Sequence, residues 1–150
     1  MPKTQKRRRL PIDKKGAHAL VLSCIDPRFT AHLADFLRHE KDVLHDYDLV
    51  TLAGASLGVT QTKFPCWRRM FFNHIDLAIA LHKIKAIWVV DHLDCGMYKQ
   101  TLGRDDAATH HTQLTKLRAI LYRKYPQLSF KGYLMDTRGN IYRDLCPPTV

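Results

Sequence analysis

The stretch His18-Ala-Leu-Val-Leu-Ser-Cys24 decides the fold class, because it is a short apolar run without polar alternation. This pattern is typical of a strand that is buried on both faces. The run Ala86-Ile-Trp-Val-Val90 repeats the pattern. After the first run, Asp26-Pro27 is a helix-start signal, and apolar residues then recur at helical spacing as far as Leu37. We therefore predict a strand followed by a helix at the start of the folded domain.

The rest of the chain continues this alternation of strands and helices. Strands are predicted at residues 48–53, 86–90, 130–136 and 140–145, a turn at 54–58, and helices from residue 67 onward and at 110–125. The predicted fold class is α/β, with a mainly parallel β-sheet flanked by helices on both faces and an antiparallel C-terminal edge hairpin. In such sheets, ligands bind beyond the carboxyl ends of the strands.

The positive charge of the chain is concentrated at its N-terminus. Of the formal +10 on 150 residues, +6 lies in residues 1–15, which contain seven Lys and Arg residues and one acidic residue, Asp13. We predict a disordered basic arm at residues 1–15 and a single α/β domain at residues 16–150. The arm has no interleaved aromatic side chains, so nucleic acid is not an expected partner.

Two features of the sequence bear on the compartment. No stretch approaches the roughly 20 apolar residues that a membrane span requires, and the run at residues 17–24 is too short for a signal sequence. We therefore predict a cytoplasmic protein without a membrane span.

Thiols stay reduced in the cytoplasm, which favours metal binding or catalysis over disulfide pairing for the cysteines. These are Cys24, Cys66, Cys95 and Cys146.

Metal-ligating side chains follow two of the predicted buried strands. Cys24 ends the first run, and His92 and Cys95 follow the run at residues 86–90. If these parallel strands are neighbours, two thiolates and one imidazole converge at one edge of the sheet. A Cys2His set with an open fourth position is known for catalytic zinc, and soft thiolates favour zinc over magnesium or calcium. The spacing of His92 and Cys95 predicts that both face the ion from a single turn of helix.

Two motifs follow the buried runs, namely Cys24-Ile-Asp-Pro-Arg28 and His92-Leu-Asp-Cys-Gly96. They resemble the signature of the β-class carbonic anhydrases, which is Cys-x-Asp-x-Arg followed by His-x-x-Cys-Gly. The segment at residues 132–141 is similar to the last hairpin of that family, and the short length resembles its compact bacterial members. The resemblance implies a parallel sheet that assembles as a homodimer or higher even oligomer, with its sites near the interface. The matching residues are Cys24, Asp26, Arg28, His92, Cys95 and Gly96.

The resemblance also implies an activity, the reversible hydration of CO2 to bicarbonate by a carbonate dehydratase, which is a lyase. Cys24, His92 and Cys95 would bind Zn²⁺, which acidifies water so that hydroxide attacks CO2. Asp26 would accept a hydrogen bond from that hydroxide, and Arg28 would hold Asp26 by a charge-assisted pair. If Arg28 lets go, Asp26 becomes a fourth ligand and closes the site. The candidate substrate-binding residues are Ala53, Gly54 and Gly96.

Two departures from the family pattern leave the substrate and the rate open. The family usually carries Arg-Asn-Ala-Gly after its second strand, whereas this chain has Thr51-Leu52-Ala53-Gly54. Asp91 precedes His92 at a position that is often apolar or histidine. Two alternatives therefore stay open: a hydrolase of carbonyl sulfide or carbon disulfide on the same fold, and a zinc-binding protein without turnover. A nucleic-acid-binding domain, with binding through the basic arm, is a third alternative. For His110-His111 we predict a solvated helix start rather than a proton shuttle.

Overall fold

The structure, a computed structural model, describes residues 16–39 and 46–143. Its strands are β1 (Ala19–Ser23), β2 (Tyr47–Thr51), β3 (Ala86–His92), β4 (Ser129–Met135) and β5 (Ile141–Arg143). They form one sheet in the order β2-β1-β3-β4-β5. The first four strands pair in parallel, and β5 pairs with β4 in antiparallel fashion. The predicted fold class is confirmed, including the C-terminal edge hairpin.

Helices connect the strands and cover both faces of the sheet. None of the described helices combines the length and the hydropathy that a membrane span requires. The predicted basic arm at residues 1–15 and Cys146 lie outside the described residues. The helices are a short 3-10 helix (Pro27–Phe29), α1 (Thr30–His39), α2 (Ser56–Thr60), α3 (Pro65–His82), α4 (Gly96–Leu102) and α5 (Ala107–Lys124).

The two faces of β1 pack into different halves of the hydrophobic core. Leu20 and Leu22 belong to a cluster with residues of α3 and α5, whereas Ala19 and Val21 belong to a second cluster with residues of α1. All five residues of β1 and all seven of β3 are buried. Burial on both faces is the reason why these two runs contain no polar alternation.

The prediction of a turn at residues 54–58 is wrong in part. The turn is limited to residues 53–55, in which Gly54 and Ala55 have φ angles of +80° and +44°, and α2 begins at Ser56. A Cβ at Gly58 would lie 2.7 Å from the carbonyl oxygen of Ala53. Gly58 therefore permits the close approach of α2 to the preceding turn, whereas the sequence pattern placed this glycine within the turn itself.

The third strand is longer than predicted, and this changes the position of His92. In β3, Asp91 lies opposite Leu134 and His92 opposite Met135 in parallel register with β4. Cys95 follows as the N-cap residue of α4. The prediction that His92 and Cys95 share one turn of helix is therefore wrong, because a strand end and a helix start present the two side chains.

Candidate metal centre

Three candidate ligands converge at the carboxyl ends of β1 and β3. The two strands are neighbours, and their register places Ser23, the residue before Cys24, opposite Val90. The ligand atoms of Cys24, His92 and Cys95 all lie within 4.8 Å of one another. The expected convergence of two thiols and one imidazole is thus present in the structure, and this cluster could hold a metal ion.

The ring of His92 is fixed by a hydrogen bond and by stacking, and one of its nitrogens makes no hydrogen bond to the described residues. Its Nδ1 donates a hydrogen bond to the carbonyl oxygen of Leu93 at 2.8 Å, and its ring stacks on Phe29 with 4.0 Å between the centroids. Because Nδ1 carries the proton, Nε2 offers a lone pair. Nε2 is buried and has no hydrogen-bond partner among the described residues. A buried, unpartnered imidazole nitrogen beside two thiols fits the donor set of a zinc site.

The two thiols differ in acidity because they face each other. A hydrogen bond from Cys95 lowers the pKa of Cys24 to about 4 although burial opposes the shift, and the amide of Gly54 adds a hydrogen bond to Sγ at 3.3 Å. The contact with Cys24, together with burial, raises the pKa of Cys95. Cys24 is therefore the more acidic of the two thiols, and a metal ion that binds both sulfurs would displace the proton of Cys95.

Asp26 is held beside this cluster by Arg28. Its carboxylate accepts hydrogen bonds from the Arg28 backbone amide at 3.0 Å, from Nε at 3.1 Å and from Nη2 at 2.8 Å. These contacts, led by the side-chain hydrogen bond, hold the pKa of Asp26 below its ordinary value. Oδ2 of Asp26 lies 3.9 Å from Nε2 of His92. The carboxylate is therefore ionised and adjacent to the candidate ligands.

Asp94 is a second partner of Arg28 that the sequence analysis missed. Nη1 of Arg28 donates to Oδ2 of Asp94 at 2.8 Å, and Nη2 donates to its carbonyl oxygen at 2.9 Å. Lys99 also pairs with this carboxylate, and the two cations lower the pKa of Asp94 to about 2. Asp94 has a φ angle of +59° in the turn between His92 and Cys95. Arg28 thus ties the Asp26 carboxylate to the turn that carries two ligands.

The predicted substrate-binding residues lie at the edge of the cluster. Gly54 donates its amide to Cys24, and a Cβ at this position would lie 2.9 Å from Cγ of Met97. Ala53 belongs to the same turn, and Gly96 is the first residue of α4. A role of these three residues in substrate binding stays a prediction.

A small cavity of about 50 Å³ opens beside the cluster. Thr51 is part of its wall at the position where the sequence lacks the expected arginine. Ser23 also lines it, and the buried Oγ of this serine has no hydrogen-bond partner among the described residues. A cavity of this size with a mostly apolar wall suits a small neutral molecule. The other lining residues include Phe29, Leu33, Leu49, Val90 and Met135.

The side chain of His110 is buried, not solvated. It is 0% exposed and lies between the carboxylates of Asp91 and Asp105. The prediction of a solvated helix start is therefore wrong at this position. Adjacent polar residues in 105–111 suggested exposure, but Asp91 comes from β3 and reaches His110 only through the tertiary fold.

Several solved structures of β-carbonic anhydrases share this fold. The chain superimposes on the enzyme CafA of Aspergillus fumigatus with a TM-score of 0.55 and 15% identity, over 89% of this chain and 78% of that one. The isoform I enzyme of Trichomonas vaginalis gives a TM-score of 0.57 and 12% identity, over 90% and 87%. Tetrameric β-carbonic anhydrases of Sordaria macrospora give 0.55 and 15%, over 91% and 84%. At these identities the likeness shows a shared fold.

Sequence relatives are found in Rickettsia. A protein of Rickettsia bellii, named "Uncharacterized protein", is 34% identical over 132 residues, which cover 83% of this chain and 80% of the relative. A second, from Rickettsia conorii, is 33% identical over 130 residues and covers 82% and 69%. The family model described as "Putative carbonic anhydrase" matches residues 14–143. The resemblance to carbonic anhydrases is therefore confirmed, and the chain belongs to this family.

Proposed function

We propose that this protein is a zinc-dependent carbonate dehydratase that hydrates CO2 reversibly to bicarbonate. The observation that carries the proposal is the convergence of Cys24, His92 and Cys95 at one sheet edge, with the Asp26–Arg28 pair beside them. Two sulfurs and one imidazole nitrogen would hold Zn²⁺ and leave a fourth position for solvent. When bound, zinc supplies acidified water, and hydroxide near neutral pH is the nucleophile for CO2.

The Asp26–Arg28 pair would orient the nucleophile. Because Arg28 keeps Asp26 ionised, the carboxylate accepts a hydrogen bond and cannot donate one. When the carboxylate of Asp26 accepts the hydrogen of a solvent molecule, a lone pair of the solvent oxygen points away from the carboxylate. The mostly apolar cavity, which His92 and Cys24 help to line, would receive CO2 beside the proposed ligands.

The first expected result is CO2 hydration by the zinc-loaded protein. Stopped-flow measurements with a pH indicator should show a rate above that of buffer over about pH 7 to 9. Absence of such a rate in protein that holds about one zinc ion per chain would leave a zinc-binding protein without turnover. Sulfide release from carbonyl sulfide or carbon disulfide, with negligible CO2 hydration, would assign the alternative hydrolase activity.

We also propose a cytoplasmic location. Cys24, Cys66 and Cys95 are free cysteines in the structure. Two of them are the proposed sulfur ligands, and oxidation of either would remove a ligand. The reducing conditions of the cytoplasm protect such thiols.

We propose that the chain forms a homodimer through the sheet edge that β2 forms. Among the described residues, β2 pairs with β1 alone, so its other edge is open. A groove of about 280 Å³ lies between β2 and α3. Leu49, Leu77 and Leu81 line it and are 51%, 54% and 66% exposed. An open strand edge beside exposed leucines favours association with a second copy. The tetrameric enzymes of Sordaria macrospora share this fold.

The double substitution Leu77→Lys and Leu81→Lys is expected to convert the dimer into monomers, because lysines buried in an interface without partners cost several kcal/mol. Size-exclusion chromatography with light scattering measures the mass. Tyr122→Lys is the matched control, because Tyr122 is 66% exposed on α5. A wild-type chain that elutes as a monomer, or a double variant that keeps the wild-type mass, contradicts the proposed interface.

A further inference from the structure

Asp91 is the centre of a buried hydrogen-bond network behind the candidate ligands. Its carboxylate is fully buried and accepts hydrogen bonds from the amide of Ser56 at 3.0 Å and from its hydroxyl at 2.6 Å. Tyr98 donates its hydroxyl at 2.7 Å, and His110 donates from Nδ1 at 2.9 Å. The carboxylate thus accepts from four donors on three residues. This buried acceptor lies directly before His92 in the sequence.

His110 joins the carboxylate of Asp91 to a second carboxylate. Its Nδ1 faces Asp91, and its Nε2 lies 2.7 Å from Oδ1 of Asp105. A neutral imidazole donates from one nitrogen, so two carboxylate partners require the doubly protonated ring. Burial alone would lower the pKa of His110, but the hydrogen bonds and charges of Asp91 and Asp105 raise it above its ordinary value. The ring also stacks on Tyr98 with 3.7 Å between centroids. This enclosure fixes the imidazolium in place.

The network reaches the backbone beside each candidate ligand. Asp91 is covalently next to His92. Through Ser56, Asp91 anchors the segment that includes Gly54, whose amide donates to the sulfur of Cys24 at 3.3 Å. On the other side, Oδ2 of Asp105 accepts the amide of Cys95 at 3.0 Å. The backbone beside each candidate ligand is thus connected to one hydrogen-bond network, in which His110 bridges Asp91 and Asp105.

We propose that Asp91, His110 and Asp105 form a positioning triad that holds the three ligands in their binding arrangement before the metal enters. The inference rests on the proposed function in one respect, namely that Cys24, His92 and Cys95 are the ligands. The ring of His110 bonds to both carboxyl groups and fixes their positions, and each carboxyl group fixes backbone next to a ligand. Without this ring, the ligands would have to be ordered at the moment of binding, which lowers metal affinity.

His110→Gln tests this role, because glutamine is uncharged and its amide can donate to only one of the two carboxylates at a time. Competition with a chromophoric chelator should show a loss of zinc affinity of about 10- to 100-fold. The Co²⁺-substituted variant should show weaker thiolate-to-metal charge-transfer bands and a changed ligand-field spectrum. His111→Gln, a half-buried neighbour outside the triad, is the control and should match wild type in both measurements.

Asp105→Ala keeps the test decisive if His110→Gln does not fold. Asp105 lies at the edge of the network with its side chain 9% exposed, and its removal frees the amide of Cys95. We expect at least about a tenfold loss of zinc affinity. The melting temperature of the variant is expected to fall as well, because the buried ring of His110 loses a partner. A purely structural network predicts the lower melting temperature alone, with unchanged zinc affinity and Co²⁺ spectrum.

The double variant His110→Gln and Asp105→Ala tests whether the two residues affect zinc affinity through the same contact or independently. If His110 and Asp105 both act through the amide of Cys95, the affinity loss of the double variant should be smaller than the product of the two single losses. Multiplicative losses, or wild-type affinity and spectrum in Asp105→Ala, would overturn the triad. Failure of the wild-type chain to bind zinc would instead overturn the proposed function, so the two failures are distinguishable.

Discussion

Cys24→Ser is expected to abolish zinc binding at the proposed centre and CO2 hydration with it. Serine places a neutral hydroxyl where the structure favours a thiolate, since the pKa of Cys24 is lowered to about 4. A hydroxyl is a poor ligand for zinc, and the two remaining donors are fewer than the three protein ligands that catalytic zinc sites use. Zinc content measured by mass spectrometry should fall from about one ion per chain to near zero. Stopped-flow rates should fall to those of buffer.

Cys66→Ser is the matched control for this change. Cys66 is exposed on α3 and is not part of the ligand cluster. Its replacement should leave both zinc content and rate at wild-type values. Retention of zinc and activity by Cys24→Ser would remove Cys24 from the ligand set.

Arg28→Lys is expected to lower kcat/KM by about 10- to 100-fold while zinc content stays unchanged. Arg28 contacts Asp26 with Nε and Nη2 and Asp94 with Nη1, and one ammonium group cannot reproduce this fork. Asp26 is then less firmly held beside His92. The resemblance to the β-class family implies that a released Asp26 becomes a fourth ligand and closes the site.

Two measurements examine this prediction together. Steady-state CO2 hydration gives kcat/KM, and the spectrum of Co²⁺-substituted protein reports an added carboxylate ligand. Arg69→Lys, at an exposed position of α3, is the control and should have no effect. Unchanged kcat/KM in Arg28→Lys would show that the fork of Arg28 is not required to hold Asp26.

Much of the fold could be predicted because the two central strands are continuous apolar runs. Burial on both faces leaves a local signal in β1 and β3 that needs no knowledge of their neighbours. The exception is α2, a helix of five residues that begins after a strained turn. Its position depends on packing against the rest of the fold, so the glycines at 54 and 58 indicated a flexible turn instead.

The convergence of the site residues was predictable, whereas the groups that hold them were not. Parallel neighbouring strands end at the same edge, so Cys24 and His92 had to meet once β1 and β3 were adjacent. The contact of Arg28 with Asp94 spans 66 residues, and that of Asp91 with His110 spans 19. Such pairings depend on tertiary packing and leave no periodic pattern in the sequence.

The complete burial of β3 has a consequence for motion within the site. Amides of this strand are covered by β1 and β4, so we expect them to exchange with solvent only when the whole domain unfolds. Ile25 is 62% exposed and the side chain of Arg28 is 53% exposed, so the segment that carries Asp26 can open locally. One side of the centre is thus anchored in the slowest-exchanging part of the molecule, while the other side can rearrange without loss of the fold.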